Sequence, residues 1–313
     1  MEEISVGIIG STLERHCIYL QKELEHQGAQ VVILDNTPDH PYPLTFCKGD
    51  SHYEDLDLSN TKVYFLRALF LPTPAFDAST IEVQMKADGY LAYAAERERY
   101  AAWLSWLKSA PFHGRVIVNP VDTLLIHFAK PYHLECLRAA GVPVPDTLVT
   151  SNPEKVLAFS QDRDIVYKPV AGGAMCRLLK EEDKQPERLE SLWTAPVQFQ
   201  EYIEGQDIRV FVLDGRVIAS FRIAGEGIDY REGTNQLEPY EVTPQIAELC
   251  IKACKALGLI FSGVDLKLRP DGSVVCIECN PSPMFEGFDQ VAPVSIVSQL
   301  ATWLIEKGKQ LKQ

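Results

Sequence analysis

Residues 261–280, FSGVDLKLRPDGSVVCIECN, constrain the fold more than any other stretch. Val264, Leu266 and Leu268 alternate with Asp265 and Lys267, and Ser273 to Ile277 form a largely β-branched, apolar run after the turn signal Arg-Pro-Asp-Gly at 269–272. This pattern predicts an antiparallel hairpin. Successive side chains on a strand point to opposite faces, so regular alternation puts Cys276, Glu278 and Asn280 on one face and Ile277 with Cys279 on the other. The two cysteines then point apart. Cys250 and Cys254 lie i, i+4 on a helix, and Cys17, Cys47, Cys136 and Cys176 supply no second pair of zinc spacing. The thiols are read as small buried hydrophobes that hold no zinc. Asp265 projects from the polar face of its strand, and if the two polar faces coincide, Asp265, Glu278 and Asn280 converge. Three hard oxygen donors are too few to cage an ion alone and suit Mg²⁺ shared with phosphate groups and water. The alternative is the solvated outer face of an ordinary hairpin.

A chain of 313 residues is long enough for two or more domains. Hydrophobic content of 46% and charged content of 23% are those of a globular protein. Thirty basic against 43 acidic side chains give a net charge of −13, which disfavours nucleic acid as a partner. No charged-then-apolar signal opens the chain, and no apolar run reaches the roughly 18 residues of a membrane helix. Eight scattered cysteines make no disulfide framework. These features predict a cytoplasmic protein without a membrane partner.

The first 35 residues read as strand, Gly10, Ser11 as a helix cap, an amphipathic helix to about His26, Gly28, and a second strand, VVILD. This β-α-β unit lacks G-x-G-x-x-G, so Asp35 is weak evidence for a dinucleotide. Strands at 62–70 and 115–120 flank a helical stretch at 90–110 and complete one α/β unit to about residue 120. Beyond it, Pro131 starts a short helix that Gly141 ends, Asn152 caps another, and DIVYKPVAGGAM carries Lys168 on a strand into a glycine turn. Residues 196–223 give three strands, and Thr243 caps a helix whose apolar stripe ends at Gly258. A lysine beside free backbone N–H groups suits a phosphate.

Four blocks in this order, AKPYHLECLRAAGVPVPDT, DIVYKPVAGG, VQFQEYIEGQDIRVFVLDGRVIASFR and GVDLKL with VVCIECNPSP, resemble the ATP-grasp superfamily, and within it the RimK and glutathione-synthetase-like carboxylate–amine ligases. The resemblance covers about 120 to 300 and implies an α/β (α+β) fold. A Rossmann-like pre-ATP-grasp domain at 1–120 would precede a two-subdomain ATP-grasp fold, with subdomains at 121–195 and 196–313. It further implies that Lys130, Lys168, Gly172 and Gly173 meet ATP phosphates, and that Glu201, Tyr202 and Ile203 line the adenine. Asp207 would hold the ribose, and Asp265, Glu278 and Asn280 two Mg²⁺ ions, with Mn²⁺ as a substitute. Arg222 and Arg231 match basic positions aimed at the transferred phosphoryl group. Two departures stand out: Ala129 replaces an Asp common before the first lysine, and Ala174, Met175 and Cys176 interrupt the phosphate loop, giving a stiffer lid or one shaped for a special substrate.

The implied reaction joins a small-molecule or peptide carboxylate to an amine through an acyl phosphate, releasing ADP and phosphate. A phosphotransferase on the same fold and a non-catalytic ATP-binding module are the alternatives, and a homo-oligomer is left open.

Overall fold

Strand β1 (Ser5–Gly10), helix α1 (Arg15–His26) and strand β2 (Gln30–Asp35) form the expected β-α-β unit in the computed structural model, which describes residues 4–37, 42–69, 78–171, 175–225 and 236–312. A small antiparallel sheet follows, made of β3 (Leu44–Cys47), β4 (Asp50–Tyr53) and β5 (Leu56–Asp57). Strand β6 (Thr61–Leu66), helix α2 (Ala78–Ser109) and strand β7 (Val116–Val118) complete a four-stranded parallel sheet of order β2-β1-β6-β7. Its strands are apolar on both faces, with Val6, Ile8, Ile9, Val63, Phe65 and Leu66 buried, as a parallel sheet covered on both sides requires.

The cap of α1 is Glu14 and not Ser11, because the Glu14 carboxylate accepts the Cys17 amide. Ser11 serves Asp35 instead. The Asp35 carboxylate accepts hydrogen bonds from the Ser11 hydroxyl, from the Thr12 amide and hydroxyl, and from the Thr37 amide and hydroxyl. Asp35 thus ties the loop after β1 to the loop after β2.

Helices α3 (Val121–Phe128) and α4 (Lys130–Ala139) lead into β8 (Thr147–Thr150), α5 (Pro153–Phe159), β9 (Ile165–Pro169), β10 (Arg177–Leu178), α6 (Pro186–Leu189) and β11 (Val197–Glu201). Asn152 caps α5 as the sequence predicts, and Gly141 leaves α4 at φ +70°. The four strands form an antiparallel sheet of order β10-β9-β11-β8. One face buries Phe199, Ile165, Leu189 and Leu192 with Val156 of α5.

A second antiparallel sheet comprises β12 (Gln206–Leu213), β13 (Arg216–Ala224), β14 (Gln236–Pro239), β15 (Phe261–Leu268) and β16 (Val274–Asn280), in order β14-β13-β12-β15-β16. Between β14 and β15 lies α7 (Pro244–Ala256), capped by Thr243 through its bond to the Ile246 amide. The stripe Ile246, Cys250, Ala253, Cys254 and Leu257 packs on Ile208, Val210, Val264 and Leu266. The chain ends with α8 (Glu286–Asp289) and α9 (Ile296–Lys312).

The chain divides into two compact units, 1–121 with 297–313, and 122–296. Helix α9 joins the first unit: Gln27 Nε2 donates to the Ser298 carbonyl at 3.1 Å, and a Cβ on Gly308 would meet Ile4 at 2.9 Å. No helix among the described residues is long and apolar enough to cross a membrane.

Candidate functional site

The hairpin exists, but its alternation is broken. Asp265 pairs with Glu278 and Leu266 with Cys276, so Ile277 is the extra residue of a β-bulge. The bulge flips everything before it. Cys276 therefore shares the core face with Cys279, correcting the expectation that they point apart; their sulfurs lie 3.9 Å from each other. Both join Cys250 and Cys254 in the core under α7. Hydrogen bonds with the Cys254 and Cys276 thiols, followed by burial, hold the Cys279 thiol well above its ordinary range, and burial does the same for Cys250. Such surroundings oppose thiolate ligands. Among the described residues no group of three or more His, Cys, Asp or Glu side chains is arranged to hold a metal.

Past the bulge, Glu278 and Asn280 face the same side as Asp265, as expected. Each carboxylate is balanced by one of the chain's own cations. Lys130, at the start of α4, donates to Glu278. Arg209 Nε lies 2.9 Å from Asp265 Oδ1. Desolvation raises the Asp265 carboxyl to about 6; Arg209 pulls it down, while Glu278 and Asp207 push it up. Asn280 Oδ1 accepts the Ser282 amide at 3.1 Å. Two facing carboxylates and an amide oxygen, with cations already drawn to them, are a donor set that fits Mg²⁺ shared with phosphate oxygens.

Helix α4 is fixed against this strand. The Cys279 amide donates to the buried His133 Nε2 at 3.1 Å, one turn beyond Lys130, and the Cys276 amide donates to the Pro143 carbonyl. Lys130 is thereby held over Glu278 although Ala129 gives no side-chain cap.

Asp207 lies on the same sheet face, two residues before Arg209, with its carboxylate 2.8 Å from Lys267 Nζ. Glu201, Tyr202 and Ile203 join the two sheets. Glu201 is bonded to Arg269 at 3.4 Å, and the Glu201 and Tyr202 amides donate to the Asp146 and Asp164 carbonyls. Lys168 is half-buried near the end of β9, in register with Gln198.

The structure does not bring Arg222 to this cluster. Its register partner is Ile208, which faces the core under α7, so Arg222 lies on the opposite face from Asp265 and packs over the Tyr240 ring at 5.0 Å. Gly172, Gly173 and Arg231 lie outside the described residues. The arginine that does reach the acidic set is Arg209, which the sequence reading passed over. The signal was present: in GQDIR, period two puts Arg209 on the face of Asp207. Gly263 makes room for it, because a Cβ there would sit 2.3 Å from Arg209 Nη1.

Comparison with known proteins bears on this arrangement. A model of the RimK-like ATP-grasp domain matches residues 129–304. A structure of the ATP-grasp ligase PsnB, complexed with a phosphomimetic variant of minimal precursor, Mg and ADP, is 31% identical, with 98% of this chain and 99% of that one covered at a TM-score of 0.87. The tetrahydromethanopterin:alpha-L-glutamate ligase of Methanocaldococcus jannaschii is 31% identical over 214 residues, 63% of this chain and 72% of that protein. The macrocyclase MdnC of Microcystis aeruginosa, bound with precursor peptide MdnA, shares the fold at 21% identity and a TM-score of 0.78 over 96% of this chain and 99% of that one.

Proposed function

This chain belongs to the RimK-like ATP-grasp family and is an ATP-dependent carboxylate–amine ligase that uses Mg²⁺, and on that premise we propose that the acid it activates is a carboxylate carried by a peptide. The observation that carries this reading is the extent of the match. PsnB, solved with its precursor peptide, superposes on 98% of this chain, the first unit included, at 31% identity and a TM-score of 0.87.

The residues of the second unit divide the work. Lys130 and Lys168 neutralise phosphate charge, with Gly172 and Gly173 as further phosphate contacts. Glu201, Tyr202 and Ile203 line the adenine through backbone groups, and Asp207 holds the ribose. Asp265, Glu278 and Asn280 hold two Mg²⁺ ions, or Mn²⁺ in their place. Mg²⁺ offsets charge on the β- and γ-phosphate oxygens when bound. Arg209, rather than Arg222, faces the group in transfer, and Arg231 is the second candidate for that role.

A carboxylate and an amine form a salt at neutral pH, so the carboxylate must first become electrophilic. Its oxygen attacks the γ-phosphorus, the bond to the β-phosphate oxygen breaks, and ADP leaves an acyl phosphate. The amine nitrogen then attacks the acyl carbon, loses a proton, and expels phosphate. Exclusion of water protects the acyl phosphate, which closure of the segment between β9 and β10 would provide.

The test is ADP release across a panel of acidic peptides, free glutamate and small amines, with products read by mass. Peptide-dependent ADP release with loss of one water per bond supports the reading. Release with free amino acids alone contradicts it and favours the glutamate ligation named for the Methanocaldococcus relative.

A further inference from the structure

Gln198 of β11 is wholly buried, and neither Oε1 nor Nε2 has a hydrogen-bond partner among the described residues. It stands in register with Lys168, so the two share a face of the sheet. The residues beside them, Tyr167 and Phe199, turn the other way into the cluster with Leu189 and Leu192, their rings 6.3 Å apart. Gln200, the next residue on the Gln198 face, is satisfied, donating to Thr147 Oγ1 at 2.9 Å. A buried amide with nothing to bond destabilises a sheet that Val or Leu would fill without penalty. Gln198 stands three residues before Glu201, and its unsatisfied donor and acceptor lie on the face that carries Lys168.

We propose that Gln198 reads the purine base of the nucleotide, an inference that rests on the ATP site assigned above. Both orphaned atoms decide which part of the nucleotide is met. Phosphate offers only acceptors and would satisfy Nε2 alone. Adenine offers the N6 amino donor beside the N7 acceptor, matching Oε1 and Nε2 together. Guanine shows O6 and N7 at the same edge, two acceptors, which leaves Oε1 against an oxygen. Gln198 is on this account a specificity residue for adenine over guanine.

The experiment is calorimetric titration of wild type and Gln198→Met with ADP and GDP, alongside thermal unfolding of the nucleotide-free proteins. Wild type should prefer ADP. Gln198→Met should bind ADP about tenfold more weakly or worse, lose most of its preference over GDP, and unfold no earlier than wild type. Equal weakening of ADP and GDP would place the contact on the shared phosphates and overturn the base assignment. Unchanged affinity for both would make Gln198 structural and overturn it as well. Binding of 7-deaza-ADP to the wild type supplies a check independent of any variant: about tenfold weaker binding than ADP is expected, and equal binding contradicts the inference. Failure of the wild type to bind ADP at all would instead remove the ATP site on which the inference stands.

Discussion

Arg209 Nε lies 2.9 Å from Asp265 Oδ1 on neighbouring strands, with side chains 7% and 19% exposed. A pair so placed gains less from its attraction than it would lose if one partner were left alone. Arg209→Met strands a desolvated carboxylate beside Glu278 and Asp207. The variant should lose about 3 kcal/mol of stability by urea unfolding at neutral pH. An unchanged midpoint would mean that the pair is screened by water.

Glu278 exchanges partners in the proposed cycle, from Lys130 to the metal. Glu278→Gln keeps the shape and removes the charge, so the fold should persist while ADP release falls about a hundredfold or more at saturating Mg²⁺. Turnover near the wild-type level would remove Glu278 from the metal set.

Asp35 gives the first unit a pH signature of its own. Burial alone would raise its carboxyl, yet the Thr12 and Thr37 donors outweigh burial and lower it from 3.8 to about 2. A depressed acid contributes stability above its unfolded value and loses it as pH falls through its folded value. Wild type should therefore lose stability between about pH 4 and pH 2, whereas Asp35→Asn should be less stable by roughly 1–2 kcal/mol at pH 7 and flatter across that window. Parallel curves for the two proteins would exclude this role.

The buried thiols make a chemical prediction. Treatment with a strong chelator, followed by restored Mg²⁺, should return full turnover, and Cys279→Ser should cost about 1–3 kcal/mol by placing a hydroxyl in an apolar core. Zinc-dependent recovery would show that the converging sulfurs hold an ion.

Much of this was legible in the sequence because each element carried its own local signal. The caps Asn152 and Thr243, the terminal glycines and the period-two runs placed α5, α7 and the 261–280 hairpin. Asp265, Glu278 and Asn280 were paired on one face because period two holds within each short run. The bulge at Ile277 has no composition signal, since Val-Val-Cys-Ile reads as regular strand; only pairing with Asp265 and Leu266 reveals it. Ser11 was mistaken for a cap because its hydroxyl belongs to Asp35, a contact 24 residues away. That Arg209 faces the carboxylates and Arg222 the other side follows from register, with β12 lying between β13 and β15. The place of α9 in the first unit likewise rests on contacts such as Gln27 with Ser298, which span almost the whole chain.

The central claim, activation of a carboxylate before amide formation, is tested most directly by hydroxylamine. Supplied with ATP, Mg²⁺ and an acidic peptide that elicits ADP release, the enzyme should yield a peptide hydroxamate in step with ADP, because hydroxylamine intercepts an acyl phosphate. ADP formed with no hydroxamate, and a phosphate ester left on the peptide, would contradict the account and identify a phosphotransferase.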